Sequence, residues 1–200
     1  MDLPAYLRIQ ARANRLSNRR LHEALRTLSR DDFHAPRTSF FPSLAQTMSH
    51  ILTVDGYYIG ALYRDRGLLA AYRAFVPADD IAALTSRQAA SDARLIAFCD
   101  GLDAERCTAL IEMDCVTHIQ RDRAAHVLAH LFNHQTHHRG QAHAMLAGTA
   151  VAPPQLDEFM LPSEAHLRSA DMAAQGWSEA EVYGEPPEER PTSIELLKNA

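Results

Sequence analysis

Residues 125–146 read AHVLAHLFNHQTHHRGQAHAML, and the fold and the chemistry both turn on this stretch. It carries six of the chain's eleven histidines, His126, His130, His134, His137, His138 and His143, within about five helical turns. Residues four apart on a helix share a face, with Cβ atoms about 5–6 Å apart, close enough for two imidazoles to share one ion. His134 with His138 forms such a pair, and so does His130 with His134.

A helical wheel separates these candidates. With Leu128 at zero and about 100° per residue, Leu131, Phe132, Ala142 and Leu146 fall within about 60° of Leu128. His138 falls near 280° and His134 near 240°, beside Val127 and Met145 at the shoulder of the apolar stripe. His130 and His137 fall near 200° and 180°, turned outward. A single histidine in a helix is ordinarily just a packed or half-exposed side chain. A pair on one apolar shoulder points to metal binding, although HxxxH alone is a weak motif. No glutamate completes an HExxH pattern, so zinc-protease chemistry is not indicated.

Two imidazoles rarely hold a catalytic metal alone, so a third ligand must come from another helix. His50, in TMSHILTVDGYY, is the best donor and shares a shoulder of its helix with Thr47, Val54 and Tyr57. Asp55 is the alternative ligand, or an acceptor for a ligating ring. Gly140 costs a helix about 1 kcal/mol relative to alanine, which calls for a close helix crossing or for space that a ligand fills. Arg139 and Gln141 read either as donors that support the metal ligands or as plain surface groups, the structural reading being favoured for both. His22, His34, His118, His143 and His166 read as scattered surface groups.

Working outward, apolar spacing predicts a first long helix over residues 2–29 and a second from Pro42-Ser43 to about Arg64. Residues 65–77 read as a connection with a helical turn in LLAAYRAF. A third helix runs from about Asp79 to Cys99, capped by Asp79 or Asp80. RCTALIEMDCVTHIQ reads as a small hairpin or an irregular crossover, and the fourth helix spans about Asp122 to Ala147. Beyond Pro153-Pro154, Ser163 and Ser178 are expected to cap short helices, and the acidic, proline-bearing end EPPEERPTSIELLKNA is expected to be poorly ordered. The expected fold is all-α: an antiparallel four-helix bundle over residues 1–159 with a crossover connection, then a C-terminal extension over 160–200.

Net charge is −5, and no basic patch with interleaved aromatics supports nucleic-acid binding. Nothing resembles a signal-peptide core or a membrane span. Cys99, Cys107 and Cys115 form no CxxC and read as free thiols of a cytoplasmic protein.

SFFPSLAQTMSHILTVDGYY, HLFNHQTHHRGQAHAML and the later PPQLDEF together resemble the DinB family of bacterial bundle proteins, over about residues 2–159. NHQTHHRGQ is the most specific segment. The resemblance implies a four-helix bundle, commonly a homodimer, with a divalent metal held by three histidines. Those ligands correspond here to His50, His134 and His138, with His137 a neighbour. It does not imply one reaction, because relatives include S-transferases using low-molecular-weight thiols, a maleylpyruvate-isomerase-like branch and members of unknown activity.

The expected function is a metal-dependent enzyme acting on small-molecule substrates, of thiol S-transferase type. Zinc or nickel leads, with iron or copper as alternatives, and a low-molecular-weight thiol is the expected co-substrate. Three neutral imidazoles leave the ion dipositive, and a thiol coordinated there loses its proton readily. No general base stands out, and Asp55 and Tyr57 are the candidates. The rival reading is a non-catalytic metal- or ligand-binding, stress-related bundle protein, which would use the outer histidines as a store.

Overall fold

The computed structural model describes residues 1–185, and the expectation for the acidic C-terminal end falls almost wholly outside them. Four helices of about twenty residues carry the architecture, joined by shorter pieces. α1 (Leu3–Leu25) is capped by Asp2, whose carboxylate accepts from Ala5 N–H at 2.8 Å, with Pro4 in the first turn, where its missing N–H costs nothing. A short α2 (Arg30–His34), capped by Ser29, lies within the segment expected to be loop. α3 (Leu44–Leu62) starts at Ser43, whose hydroxyl accepts from Gln46 N–H. Pro42 therefore stands just before the cap rather than in the first turn.

α4 (Leu68–Arg73) is the helical turn within the connection, and α5 (Ile81–Asp100) is capped by Asp80 through Ala82 and Ala83 N–H. α6 (Ala104–Thr108) leads into a hairpin of β1 (Leu110–Asp114) and β2 (Ile119–Arg123), antiparallel, with Leu110 opposite Arg123 and Asp114 opposite Ile119. Of the two readings of that segment, the hairpin holds. The chain is thus mostly helical but not all-α. α7 (Ala124–Leu146) begins two residues later than expected, because Asp122 pairs with Ile111 in the hairpin.

After a 3₁₀ turn (Pro162–Glu164) come α8 (Ala165–Gln175) and α9 (Glu179–Tyr183). Ser178 caps α9 in a reciprocal capping box with Glu181. Ser163 instead lies inside the 3₁₀ turn and caps nothing.

α1 packs on α5 and α7, and α3 packs on the same two. One apolar cluster joins Leu7, Ile59, Leu62, Leu95, Cys99, Leu128 and Leu131. A second joins Leu21, Leu25, Met48, Ile51, Leu84, Met145 and Leu146. The first takes the starts of α1 and α7 and the ends of α3 and α5. α1 and α7 therefore run one way and α3 and α5 the other, and residues 63–80 cross the length of the molecule. The long crossing is thus before α5, whereas the link before α7 turns locally through the hairpin.

A polar layer separates the two clusters, and every long helix contributes to it. Arg139 Nη1 donates to Gln135 Oε1 at 2.9 Å, to Asn18 Oδ1 at 3.0 Å and to Asn14 Oδ1. Gln135 and Gln88 both donate to Asp55 Oδ2, and Gln88 and Asn18 both donate to Asp92 Oδ1. All seven side chains are buried. Such a layer fixes helix register, because a slip of one turn would strand several polar groups in an apolar core.

The extension folds back on α1. Ala13 and Leu16 pack with Phe159 and Met172, while Arg20 pairs with Glu158 and Asp171, each at 2.8 Å. Fully buried Arg168 pairs with Glu179 at 2.7 Å and donates to the carbonyls of Glu158 and Leu161. Among the described residues no helix is long and apolar enough to cross a membrane.

Candidate metal centre

α3 and α7 meet along one side of the molecule and bring His50, His134 and His138 together. One ligand nitrogen from each lies within 4.8 Å of the others, and Nε2 of His50 stands 3.0 Å from Nε2 of His134. Ligand nitrogens about 2.0–2.1 Å from a tetrahedral zinc stand roughly 3.3 Å apart, close to the spacing between His50 and His134. His138 is buried and the other two are half-buried.

The surroundings orient these rings. His138 Nδ1 lies 2.7 Å from Gln141 Oε1, which can only accept, so Nδ1 carries the proton and the Nε2 lone pair is free. Gln141 thus supports a ligand ring, as an acceptor rather than the donor the sequence suggested, and the favoured structural reading gives way. The i, i+3 spacing from His138 was the available signal. Phe41, from the loop before α3, places its ring 4.2 Å from that of His50 and 5.7 Å from that of His138, closing one side. The Nδ1 of His134 is buried without a hydrogen-bond partner.

Burial is the main force on the protons. It holds His50 down to about 4, with the neighbouring His138 adding to the effect. It holds His134 down to about 3, again with His138 and then His50 contributing. His138 is lowered too, mainly by burial and against the opposing hydrogen bond to Gln141. At neutral pH all three rings are uncharged with lone pairs available, the state a transition metal requires. Three neutral nitrogens from two helices, with no carboxylate in the group, fit a transition-metal ion.

A cleft of about 220 Å³ opens against His134, walled by Val54, Tyr57, Tyr58, Leu69, Tyr72 and His130. The Tyr58 ring lies 5.0 Å from the ring of His130. The aromatic wall of the cleft comes from α3 and α4, and no spacing in the sequence signals that α4 reaches it. Tyr57 donates its hydroxyl to the carbonyl of Asp114 at 2.6 Å, tying the hairpin to α3. Burial first, then Cys115 and other neighbours, push this phenol up to about 12. Tyr57 is therefore a poor base.

Asp55 lies outside the histidine group. It is fully buried in the polar layer, accepting from Gln88 and Gln135, and burial raises its carboxyl to about 8. The outer histidines His126, His130 and His137 are exposed, and among the described residues the triad is the one grouping spaced to share an ion. His22, expected at the surface, is instead 2% exposed, with Nδ1 at 3.1 Å from Thr85 Oγ1 across the α1–α5 contact. Cys99, Cys107 and Cys115 are free thiols, the first two buried.

No curated protein matches the chain in a whole-sequence comparison. Comparison with protein-family models matches the DinB family over residues 9–172, a span that includes all three histidines. By that match over most of its length, the chain belongs to the DinB family.

Proposed function

We propose that the chain is a metal-dependent enzyme of thiol S-transferase type, with a divalent ion held by His50, His134 and His138. The observation that carries the reading is the convergence of three neutral imidazole nitrogens within 4.8 Å, beside a tyrosine-walled cleft. Zinc and nickel suit an all-nitrogen site best, and iron and copper are the other choices. The ion supplies Lewis acidity, stabilising the thiolate of a low-molecular-weight thiol, which is the nucleophile.

The protein's own part is positional. Gln141 holds the His138 ring in one orientation, and Phe41 keeps water from one side. Tyr58, Tyr72 and Leu69 offer the electrophile an apolar, uncharged wall beside His134. We further propose that the four long helices form the family's four-helix bundle over residues 1–159. The C-terminal extension from residue 160 braces α1, and the chain pairs as a homodimer, which rests on family membership.

The test is thiol consumption with 1-chloro-2,4-dinitrobenzene and a panel of small thiols, using zinc- or nickel-loaded protein. Acceleration that depends on the ion and disappears in His138→Ala supports the transferase reading. Tight metal binding with no acceleration for any thiol points instead to a non-catalytic metal-binding protein.

A further inference from the structure

Gly140 stands in the middle of α7, and nothing lies within 4 Å of where its Cβ would be. A close helix crossing therefore does not explain it. It faces instead a cavity of about 440 Å³ between α1, α7 and residues 155–160. With about 100° per residue, Thr136, Gly140 and His143 lie nearly opposite His134 and His138 on α7, so this cavity and the histidine triad use different faces. Its volume is in the usual range for small-molecule sites, about 300–1,000 Å³.

The lining combines an apolar body with one buried cation. Phe132, Leu156 and Phe159 give the apolar wall, and Arg139, Asn14 and Ser17 are its buried polar groups. Gln10, Thr136, His143, Gln155 and Asp157 form a more open polar rim. Arg139 is 7% exposed and, among the described residues, makes no ion pair. Its Nη1 is fully used by Asn14, Asn18 and Gln135, but Nη2 has only Thr136 Oγ1 at 3.5 Å. Asn14 is 3% exposed, and its Nδ2 has no partner. Two buried donor groups are thus under-used in one cavity, where an unmade hydrogen bond is costly, and the nearby buried carboxylates Asp92 and Asp55 act on Arg139 by charge without pairing with it. The carboxylate among the lining residues, Asp157, is exposed and already accepts from Gln155.

We propose that this cavity binds a small organic monocarboxylate, with its carboxylate on Arg139 and Asn14 and its apolar body between Phe132, Leu156 and Phe159. A planar guanidinium edge matches a planar carboxylate. The apolar wall selects against small hydrophilic anions. The site is independent of any ion at the histidines.

Calorimetric titration of the full chain with benzoate, and with benzyl alcohol as the uncharged control, tests this. Saturable binding of one benzoate per chain is expected, with the alcohol at least tenfold weaker. Gly140→Leu fills the space beside the helix while improving helix propensity, so it should remain folded and weaken benzoate at least tenfold. His134→Ala should leave benzoate binding unchanged. No saturable binding, equal affinity for the alcohol, or benzoate binding untouched by Gly140→Leu overturns the proposal. Loss of binding in His134→Ala overturns it as well, by placing the carboxylate at the histidines.

Discussion

His50 and His134 sit 84 residues apart in the chain, yet their Nε2 atoms are 3.0 Å from each other. Both rings are held neutral by burial, so this approach carries no charge repulsion. It sets two candidate ligand nitrogens beside each other on separate helices, one donating to the other, with the ring of His138 4.6 Å from that of His50. A site so built depends on how α3 and α7 are held together, and on what fixes each ring.

Gln141 fixes one of them. Gln141→Leu removes the acceptor for His138 Nδ1 and frees the ring to turn, while the helix keeps a good former. Loss of a hydrogen bond that orients a ligating imidazole typically costs about 10–100-fold in metal affinity. Competition against a chromophoric chelator should show a drop of that size, with unfolding midpoints of the metal-free protein nearly unchanged.

Gln135 fixes the helices. It bridges Asp55 of α3 and Arg139 of its own helix, in the layer between the two apolar clusters. Gln135→Leu strands both partners in a buried setting, which should destabilise the metal-free protein by about 2–3 kcal/mol. Urea unfolding measures this directly. A neutral result would mean that the layer is not a structural requirement.

Two buried groups give opposite pH responses. His22 has a folded value of about 4 because burial disfavours its charge, whereas the unfolded imidazole titrates near 6.5. Between those values the unfolded chain binds more protons, so stability falls as pH drops from about 6.5 to 4, by up to about 3 kcal/mol. Asp55 has a folded value of about 8, raised mainly by burial, against 3.8 for the ordinary carboxyl. There the folded chain binds more protons, so stability falls as pH rises through that range toward 8. Unfolding of metal-free protein from pH 4 to 9 should show the acid slope flattened in His22→Gln. The fall between about pH 4 and 8 that Asp55 contributes should disappear in Asp55→Asn.

How much of this was legible in the sequence follows from range. His134 and His138 share one shoulder of the apolar stripe, so the helical wheel ranks them ahead of His130 and His137. His50 lies on another helix, and its place needed the family resemblance as well as the packing of α3 on α7. Asp55 was misplaced for the same reason: the partners that bury it, Gln88 and Gln135, are 33 and 80 residues away. A lone His22 gives no periodic signal of its own, so its contact with Thr85 was invisible. The hairpin was only half legible, since its strands are five residues each and its turn holds Val116 at φ 73°, an unusual conformation for a β-branched residue. Helix caps built from Asp2, Ser43, Asp80 and Ser178 are local chemistry, and there sequence and structure differ by a residue or two at most.

The most direct measurement is metal content per chain by elemental analysis, on wild type and His134→Ala prepared without an affinity tag and incubated with zinc or nickel. One ion per wild-type chain, lost in the variant, is the predicted result. No bound metal in the wild type, or several ions that survive the substitution, contradicts a three-histidine centre at His50, His134 and His138.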